Sequence, residues 1–133
     1  MSKSDENTNA KIMLVDEPDL IIKKFKRAVT DSGSEVRAAE DKPGVTNLMS
    51  IYSACTGKSF DEIEREFEGK GYGDFKTAVG ETVRDMLKPI QERYAMYLSD
   101  KEQLNGILRT GAEKASYIAA KTLAKTRRKI GLD

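Results

Sequence analysis

The sequence contains no histidine and only one cysteine in 133 residues. Without histidine, the chain cannot form a Ser-His-Asp triad, a Cys-His pair or a histidine-ligated metal site from its own residues. The single cysteine, Cys55, excludes an internal disulfide and a thiolate-rich zinc site. It lies in line with apolar neighbours at helical spacing, which predicts a small core residue. The familiar catalytic constellations are therefore missing, and we predict no metal ligands.

Long apolar runs are also missing. No stretch approaches the roughly 18 residues that a membrane-spanning helix needs, and the first residues lack the pattern of a signal peptide. We therefore expect a cytoplasmic protein with no membrane partner. The net charge is only +1, from 23 basic and 22 acidic residues, but the charges are unevenly placed. Residues 101–133 contain eight basic and three acidic side chains, whereas residues 59–68 contain five acids and one arginine.

Apolar residues recur at helical spacing along most of the chain, which predicts an all-α fold, a helical bundle of about five helices. In the first helix the apolar positions are Ile22, Phe25 and Val29. Helix-start signals mark the predicted helices at Asp16, Pro43, Ser59 and Ser99. A Ser59/Glu62 pair and a Ser99/Glu102 pair both have the spacing of a capping box. The predicted helices begin at Asp16, Pro43, Ser59, Asp74 and Ser99, and the fourth continues across Pro89.

One segment has the composition of a strand. Lys11–Val15 carries the apolar run Ile-Met-Leu-Val, and we find no other candidate strand. A single strand needs a pairing partner, so either the segment is merely extended or the rest of its sheet lies elsewhere.

A glycine-rich stretch, Gly69 to Gly73, separates the third and fourth predicted helices. Its spacing matches neither a dinucleotide fingerprint nor a P-loop. We favour a tight turn that needs a positive φ angle over a phosphate cradle. Tyr72 inside the stretch is then either a lid on the core or a stacking platform.

Two basic clusters allow two interpretations. Lys23, Lys24 and Arg27 lie on the first predicted helix, where they form either a solvated face or a face that contacts phosphates. The last turns of the final helix carry five cations, including Arg127 and Arg128, and no acid. These residues serve either helix capping and solubility or contact with a polyanion.

The first four residues, Met1-Ser2-Lys3-Ser4, are by themselves typical of a polar terminal tail. Together with Asp5 they also resemble the Lys-Met-Ser-Lys-Ser signature of class I aminoacyl-tRNA synthetases without its first lysine. Further landmarks are similar, in order and spacing, to the bacterial tryptophanyl-tRNA synthetases of that class. These landmarks are residues 28–32 (Ala-Val-Thr-Asp-Ser), 42–48 (Lys-Pro-Gly-Val-Thr-Asn-Leu), 51–53 (Ile-Tyr-Ser), 69–76 (Gly-Lys-Gly-Tyr-Gly-Asp-Phe-Lys), 89–94 (Pro-Ile-Gln-Glu-Arg-Tyr) and 111–115 (Gly-Ala-Glu-Lys-Ala).

The resemblance implies a C-terminal fragment of such an enzyme that begins inside the signature. Residues 1–15 would then be the signature loop and a remnant strand of the catalytic domain. Residues 16–133 would be the helical domain that binds the tRNA anticodon. The nucleotide-binding sheet and the tryptophan pocket would lie upstream, so we expect the fragment to be inactive alone.

In this family the intact enzyme joins L-tryptophan to ATP, with Mg²⁺, as an adenylate and then transfers the acyl group to tRNA(Trp). The resemblance implies that Lys3 is catalytic, because its ammonium would stabilise negative charge on the leaving pyrophosphate. Met1, Ser2 and Ser4 would complete the contacts to ATP. The resemblance further implies a homodimeric parent, and no cofactor held by protein ligands in the fragment itself.

Motif matching does not assign the residues that contact tRNA. Physical reasoning gives the candidates Lys23, Lys24, Arg27, Arg127 and Arg128, since tRNA phosphates attract exposed cations. Two other functions stay open. The chain could be a stand-alone helical tRNA-binding module without catalysis, or a helical domain that contacts other proteins.

Overall fold

The computed structural model of the chain describes residues 6–132. This part of the chain contains five α-helices, which confirms the predicted all-α fold. The helices are α1 (Pro18–Lys26), α2 (Pro43–Thr56), α3 (Phe60–Glu66), α4 (Tyr72–Ser99) and α5 (Lys101–Lys129), and a short 3-10 helix at Thr8–Ala10 precedes them. None of the described helices is long and apolar enough to cross a membrane.

The predicted strand at Lys11–Val15 is wrong, and residues 6–132 contain no strand. The segment instead ends in a tight turn. The Asp16 N–H donates to the Met13 carbonyl at 3.0 Å, and the Met13 N–H donates to the Asp16 carboxylate at 2.9 Å. Because no second strand is available for pairing in the described residues, the backbone finds other partners. Some lie within the turn, and the Gln91 side-chain amide donates to the Leu14 and Asp16 carbonyls at 2.9 Å. The apolar side chains Met13, Leu14 and Val15 are consequently about half exposed.

The start of α1 also differs from the prediction. Glu17, rather than Asp16, occupies the N-cap position and makes no side-chain cap, while Pro18 begins the helix. The helix ends at Lys26, so Val29 lies beyond it and is 88% exposed. Its buried apolar residues are Ile21 and Phe25.

Two predicted capping boxes have different outcomes. At α3 the Ser59 hydroxyl accepts the Glu62 N–H and the Glu62 carboxylate accepts the Ser59 N–H, which confirms the box. At α5 the Ser99/Glu102 box is wrong. Ser99 is the last residue of α4, and the Asp100 side chain accepts the Gln103 N–H at 2.8 Å. Aspartate and serine are both good N-caps, so adjacent candidates are hard to separate from sequence.

The contacts divide the chain into two units, residues 1–91 and residues 92–133. The first unit contains the hydrophobic core, to which α1, α2, α3 and the first part of α4 contribute. At its centre the rings of Tyr52, Phe67 and Phe75 meet edge to face, with centroids 5.0–6.2 Å apart. Cys55 is half-buried against this core, as predicted.

The second unit contains the end of α4 and all of α5. No residue of α5 is buried, and Leu104 alone among them is half-buried. Apolar side chains along α5, such as Leu108 and Ile118, are more than 60% exposed. The helix therefore presents nearly its full circumference to its surroundings.

Candidate functional site

The predicted catalytic and ATP-contacting residues Met1, Ser2, Lys3 and Ser4 lie outside the described residues, so their roles stay predictions. The candidates for nucleic-acid contact fall in both units. Lys23, Lys24 and Arg27 belong to the first unit. Arg127 and Arg128 belong to the second, and each group is described by itself.

The three cations of α1 and its end have different surroundings. Lys23 and Arg27 are both exposed and are four residues apart, so they lie on one side of the helix. Lys24 is only 4% exposed, and its ammonium donates to the Asp16 carboxylate at 2.6 Å. The structure therefore places Lys24 in an interior ion pair rather than on the predicted basic face. Lys23 and Arg27 remain as the exposed pair.

The Asp16 carboxylate is the partner that holds Lys24. Burial raises the pKa of this group, but the hydrogen bonds from Lys24 and from the Met13 N–H outweigh burial and lower it. The net pKa lies below the ordinary value for an aspartate. Asp16 therefore stays charged at neutral pH and fixes the chain just before α1.

Arg27 lines a cleft of about 360 Å³ that opens beside the start of α2. Asn9 and Asn47 line the same cleft. Its wall depends on Gly44, because a Cβ atom there would come within 2.4 Å of the Val29 carbonyl oxygen. A guanidinium beside two amides can donate hydrogen bonds to an anionic or carbonyl-rich ligand.

Three of the sequence landmarks meet in one polar cluster. The Lys42 ammonium donates to the Tyr72 hydroxyl at 2.7 Å and to the Asp31 carboxylate at 3.3 Å. The Tyr72 hydroxyl lies 2.9 Å from both carboxylate oxygens of Asp31 and donates to this group. The Gly33 N–H completes the cluster with a 2.7 Å bond to Asp31. The cluster joins the loop after α1 to the starts of α2 and α4.

The cluster is largely closed to solvent, since Lys42 is 9% exposed and Tyr72 is 8% exposed. The hydrogen bond to Tyr72 and the neighbouring Asp31 raise the pKa of Lys42. For Asp31, burial raises the pKa, but bonds from Gly33, Tyr72 and Lys42 outweigh it and lower the pKa overall. Lys42 and Asp31 are therefore both charged at neutral pH, and the role of the cluster is structural. The cluster also shows that Tyr72 is a lid on the core and not a stacking platform.

The sequence landmarks that contain Asp31, Lys42 and Tyr72 were recognisable in the sequence. The contacts among these three residues could not be predicted from it. The three pairs among these residues are separated by 11, 30 and 41 positions. No local pattern connects residues at such distances along the chain. No signal in this single sequence could therefore have identified the cluster.

The glycine-rich stretch forms the predicted tight turn between α3 and α4. Gly69 has a φ angle of 72°, a conformation that favours glycine. A groove of about 530 Å³ runs beside the turn and is lined by both signs of charge, including Arg37, Glu64, Glu68 and Lys70. The mixed lining gives no net attraction for phosphate.

The C-terminal half of α5 concentrates exposed positive charge. Residues 114–129 contain six basic side chains and no acid, and Arg127 and Arg128 lie in its last turn. Tyr117 stands among these cations with 67% of its surface exposed. The Lys121 ammonium lies 5.3 Å from the centre of its ring. Sequence reasoning selected the arginines but missed Tyr117, although its spacing from Lys114 and Lys121 was visible.

The acidic residues among those that the structure describes show no arrangement suited to a metal ion. Within residues 6–132 no three carboxylate or thiol side chains come together as a metal site would require.

Comparison with known proteins finds relatives among the aminoacyl-tRNA synthetases. The family described as tRNA synthetases class I (W and Y) matches residues 1–88. The chain is 50% identical to a tryptophan–tRNA ligase of Oceanobacillus iheyensis over 99% of its length, and 52% identical to the one of Listeria monocytogenes over the same share. It spans about 40% of the length of these relatives.

A solved structure agrees with these sequence relatives. The whole of this chain is similar to part of the crystal structure of tryptophanyl-tRNA synthetase from Mycoplasma pneumoniae, with a TM-score of 0.77 and 32% identity. The matched part is 41% of the Mycoplasma chain.

Proposed function

Because the chain belongs to the family of class I tRNA synthetases for tryptophan and tyrosine, we propose that it is the C-terminal part of a tryptophanyl-tRNA synthetase. The observation that carries this proposal is the 50% identity to a tryptophan–tRNA ligase over 99% of the chain. The parent enzyme activates L-tryptophan with ATP and transfers it to tRNA(Trp). Since the chain spans about 40% of its relatives, the activity belongs to the longer protein.

Within the parent, residues 1–15 contribute a signature loop and residues 16–133 form the domain that binds the anticodon. The Lys3 ammonium stabilises charge on the pyrophosphate leaving group, and Met1, Ser2 and Ser4 contact ATP. A lysine and two hydroxyls suit a phosphate ligand, because they supply a cation and hydrogen-bond donors. ATP with Mg²⁺ supplies the activated phosphate chemistry. The parent is a cytoplasmic homodimer in this proposal.

The helical part contributes binding of tRNA(Trp). Lys23 and Arg27 form one exposed pair in the first unit, and the basic end of α5, with Arg127 and Arg128, forms a second group in the other unit. Exposed cations of this kind neutralise RNA phosphates and release counterions. Lys24 supports the first group indirectly, because its ion pair with Asp16 fixes the start of α1.

The test measures two properties of the 133-residue chain. We expect no tryptophan-dependent exchange of pyrophosphate into ATP, and we expect binding of tRNA(Trp) in preference to other tRNAs. Affinity should fall steeply with salt, with a logarithmic slope of about −0.7 to −0.9 for each phosphate contact. Clear exchange activity, or equal and negligible binding to all tRNAs, would contradict the proposal.

A pair of variants sharpens the binding test. Replacing Lys23 and Arg27 by glutamine should weaken tRNA(Trp) binding and flatten its salt dependence. The matched control is Lys24→Gln, which removes a buried cation from the same helix. Its effect should appear in the stability of the chain, with little change in the salt slope.

A further inference from the structure

Four of the eight cations of α5 are arranged on one side of the helix. At 100° per residue, Lys114, Tyr117, Lys121, Lys125 and Arg128 fall within about 80° of arc. We call these five residues the basic face. From its first to its last member the basic face extends for about 21 Å along the helix.

Between residues 108 and 123, a second side of α5 is apolar. Its members fall between about 100° and 180° away from Lys114 and are Leu108, Ala115, Ala119 and Leu123, while Ile118 lies near the edge between the two sides. Packing of this apolar side against any neighbour would leave the basic face uncovered. The two surfaces of the helix are therefore separate.

Helix capping does not explain the basic face. The helix dipole favours cations only within the last turn. Lys114 and Lys121 lie about four and two turns before the end of α5 at Lys129. None of the ion pairs between described residues involves Lys114, Lys121, Lys125 or Arg128. Their charges are available to an external anion.

Tyr117 gives the basic face a second kind of contact. Tyr117 is 67% exposed, and the Lys121 ammonium lies 5.3 Å from the centre of its ring. An aromatic ring beside cations fits unpaired nucleotides, because the bases stack on the ring while lysines and arginines contact the phosphates. A paired helix presents phosphates but buries the faces of its bases. The ring therefore favours single-stranded RNA.

We propose that the basic face of α5 binds an unpaired stretch of RNA, with one base stacked on Tyr117 and the phosphates held by Lys114, Lys121, Lys125 and Arg128. The proposal rests on the proposed function to the extent that tRNA supplies this stretch. It adds a specific aromatic contact that the basic residues alone do not predict.

The first experiment uses the full chain and a short, unstructured RNA oligonucleotide. Tyr117→Ala should weaken binding about 5- to 150-fold, the range expected for the loss of one stacked base. Tyr117→Phe should keep the affinity, because the ring remains. Neither change should alter the salt slope, whereas Lys121→Gln should flatten it by about 0.7. An RNA duplex of the same charge should bind equally to the unmodified chain and to Tyr117→Ala.

A second measurement observes the stacking directly. The chain contains no tryptophan, so Tyr117→Trp introduces a single fluorescent indole. The oligonucleotide should quench its emission at saturation. The matched control is Tyr94→Trp, since Tyr94 is 52% exposed in the same unit but lies outside α5. Quenching should be absent or much weaker there.

The outcomes separate this proposal from the proposed function. Preferred binding of tRNA(Trp) with no effect of Tyr117→Ala, and with no quenching in the Tyr117→Trp variant, would overturn the stacking contact alone. Stacking of the oligonucleotide without preference for tRNA(Trp) would support the contact and contradict the function. Binding to vesicles of anionic phospholipid with no binding to the oligonucleotide would overturn the contact in favour of a membrane surface.

Discussion

Two lysines of the first unit and the cations of α5 in the second unit are placed in opposite ways. In the first unit Lys24 and Lys42 are both less than 10% exposed and bind the carboxylates of Asp16 and Asp31. In the second unit the lysines and arginines of α5 are exposed along the helix. In the sequence, the cluster at residues 23–27 of the first unit looks as basic as the end of α5. The difference teaches that a cation becomes a candidate for RNA contact only when the fold leaves it exposed and no nearby acid pairs with it.

The same contrast holds for the apolar residues. Phe25, Phe75 and Ile63 are essentially inaccessible in the first unit, whereas the apolar side of α5 stays exposed. Helices in proteins gain most of their stability from tertiary packing. The first unit should therefore carry nearly all the cooperative stability of this chain.

The largest expected effect is the removal of a core ring. Phe75→Ala should destabilise the chain by about 3–5 kcal/mol, because Phe75 is fully buried and loses its contacts with Tyr52 and Phe67. The measurement is chemical denaturation followed by circular dichroism. Leu108→Ala on α5 is the control and should cost about 0.5 kcal/mol or less, since Leu108 is 61% exposed. Similar losses for both variants would mean that the two units do not differ in packing.

Much of the first unit was predictable from sequence because its signals are local. The capping box at Ser59, the proline at the start of α2 and the glycine turn at Gly69 each depend on neighbouring residues. The strand at Lys11–Val15 was predicted wrongly, because an apolar run has the same appearance whether it pairs in a sheet or closes a turn.

The candidate site was less predictable. Lys23 and Lys24 are adjacent in the sequence, and only the fold decides which of them reaches Asp16. The exposed basic end of α5 was visible, because residues 114–129 contain no acid to neutralise it. Its aromatic member was overlooked, since a tyrosine at helical spacing is more often part of a core.

An intermediate effect should follow from breaking the buried ion pair. Lys24→Met should cost about 1.5–3 kcal/mol at neutral pH, because the Asp16 carboxylate loses a charged hydrogen-bond partner in a partly buried place. Denaturation curves measure this difference. Lys23→Met is the matched control and should change stability by no more than about 0.5 kcal/mol. Equal effects of the two substitutions would show that the ion pair contributes nothing specific.

The pH dependence of this pair has a definite sign. The pKa of Asp16 is lowered in the folded chain, so its contribution is present above the unfolded value of about 3.9 and is lost as pH falls through the folded value. The stability difference between the unmodified chain and Lys24→Met should therefore narrow in acid. Denaturation curves at neutral pH and below about pH 4 would measure it. A constant difference would contradict this assignment.

The smallest effect on stability should come from the basic face of α5. Lys125→Gln should change the free energy of unfolding by no more than about 0.5 kcal/mol, since Lys125 is exposed and makes none of the ion pairs between described residues. The same change should flatten the salt dependence of RNA binding by about 0.7, because one phosphate contact is lost. Lys101→Gln, about 120° around the helix, is the control and should leave the slope unchanged. If both substitutions flatten the slope equally, RNA binding depends on the total charge of α5 and not on individual cations of the basic face. The contrast with the paired Lys24 and Lys42 of the first unit would then not apply to single residues.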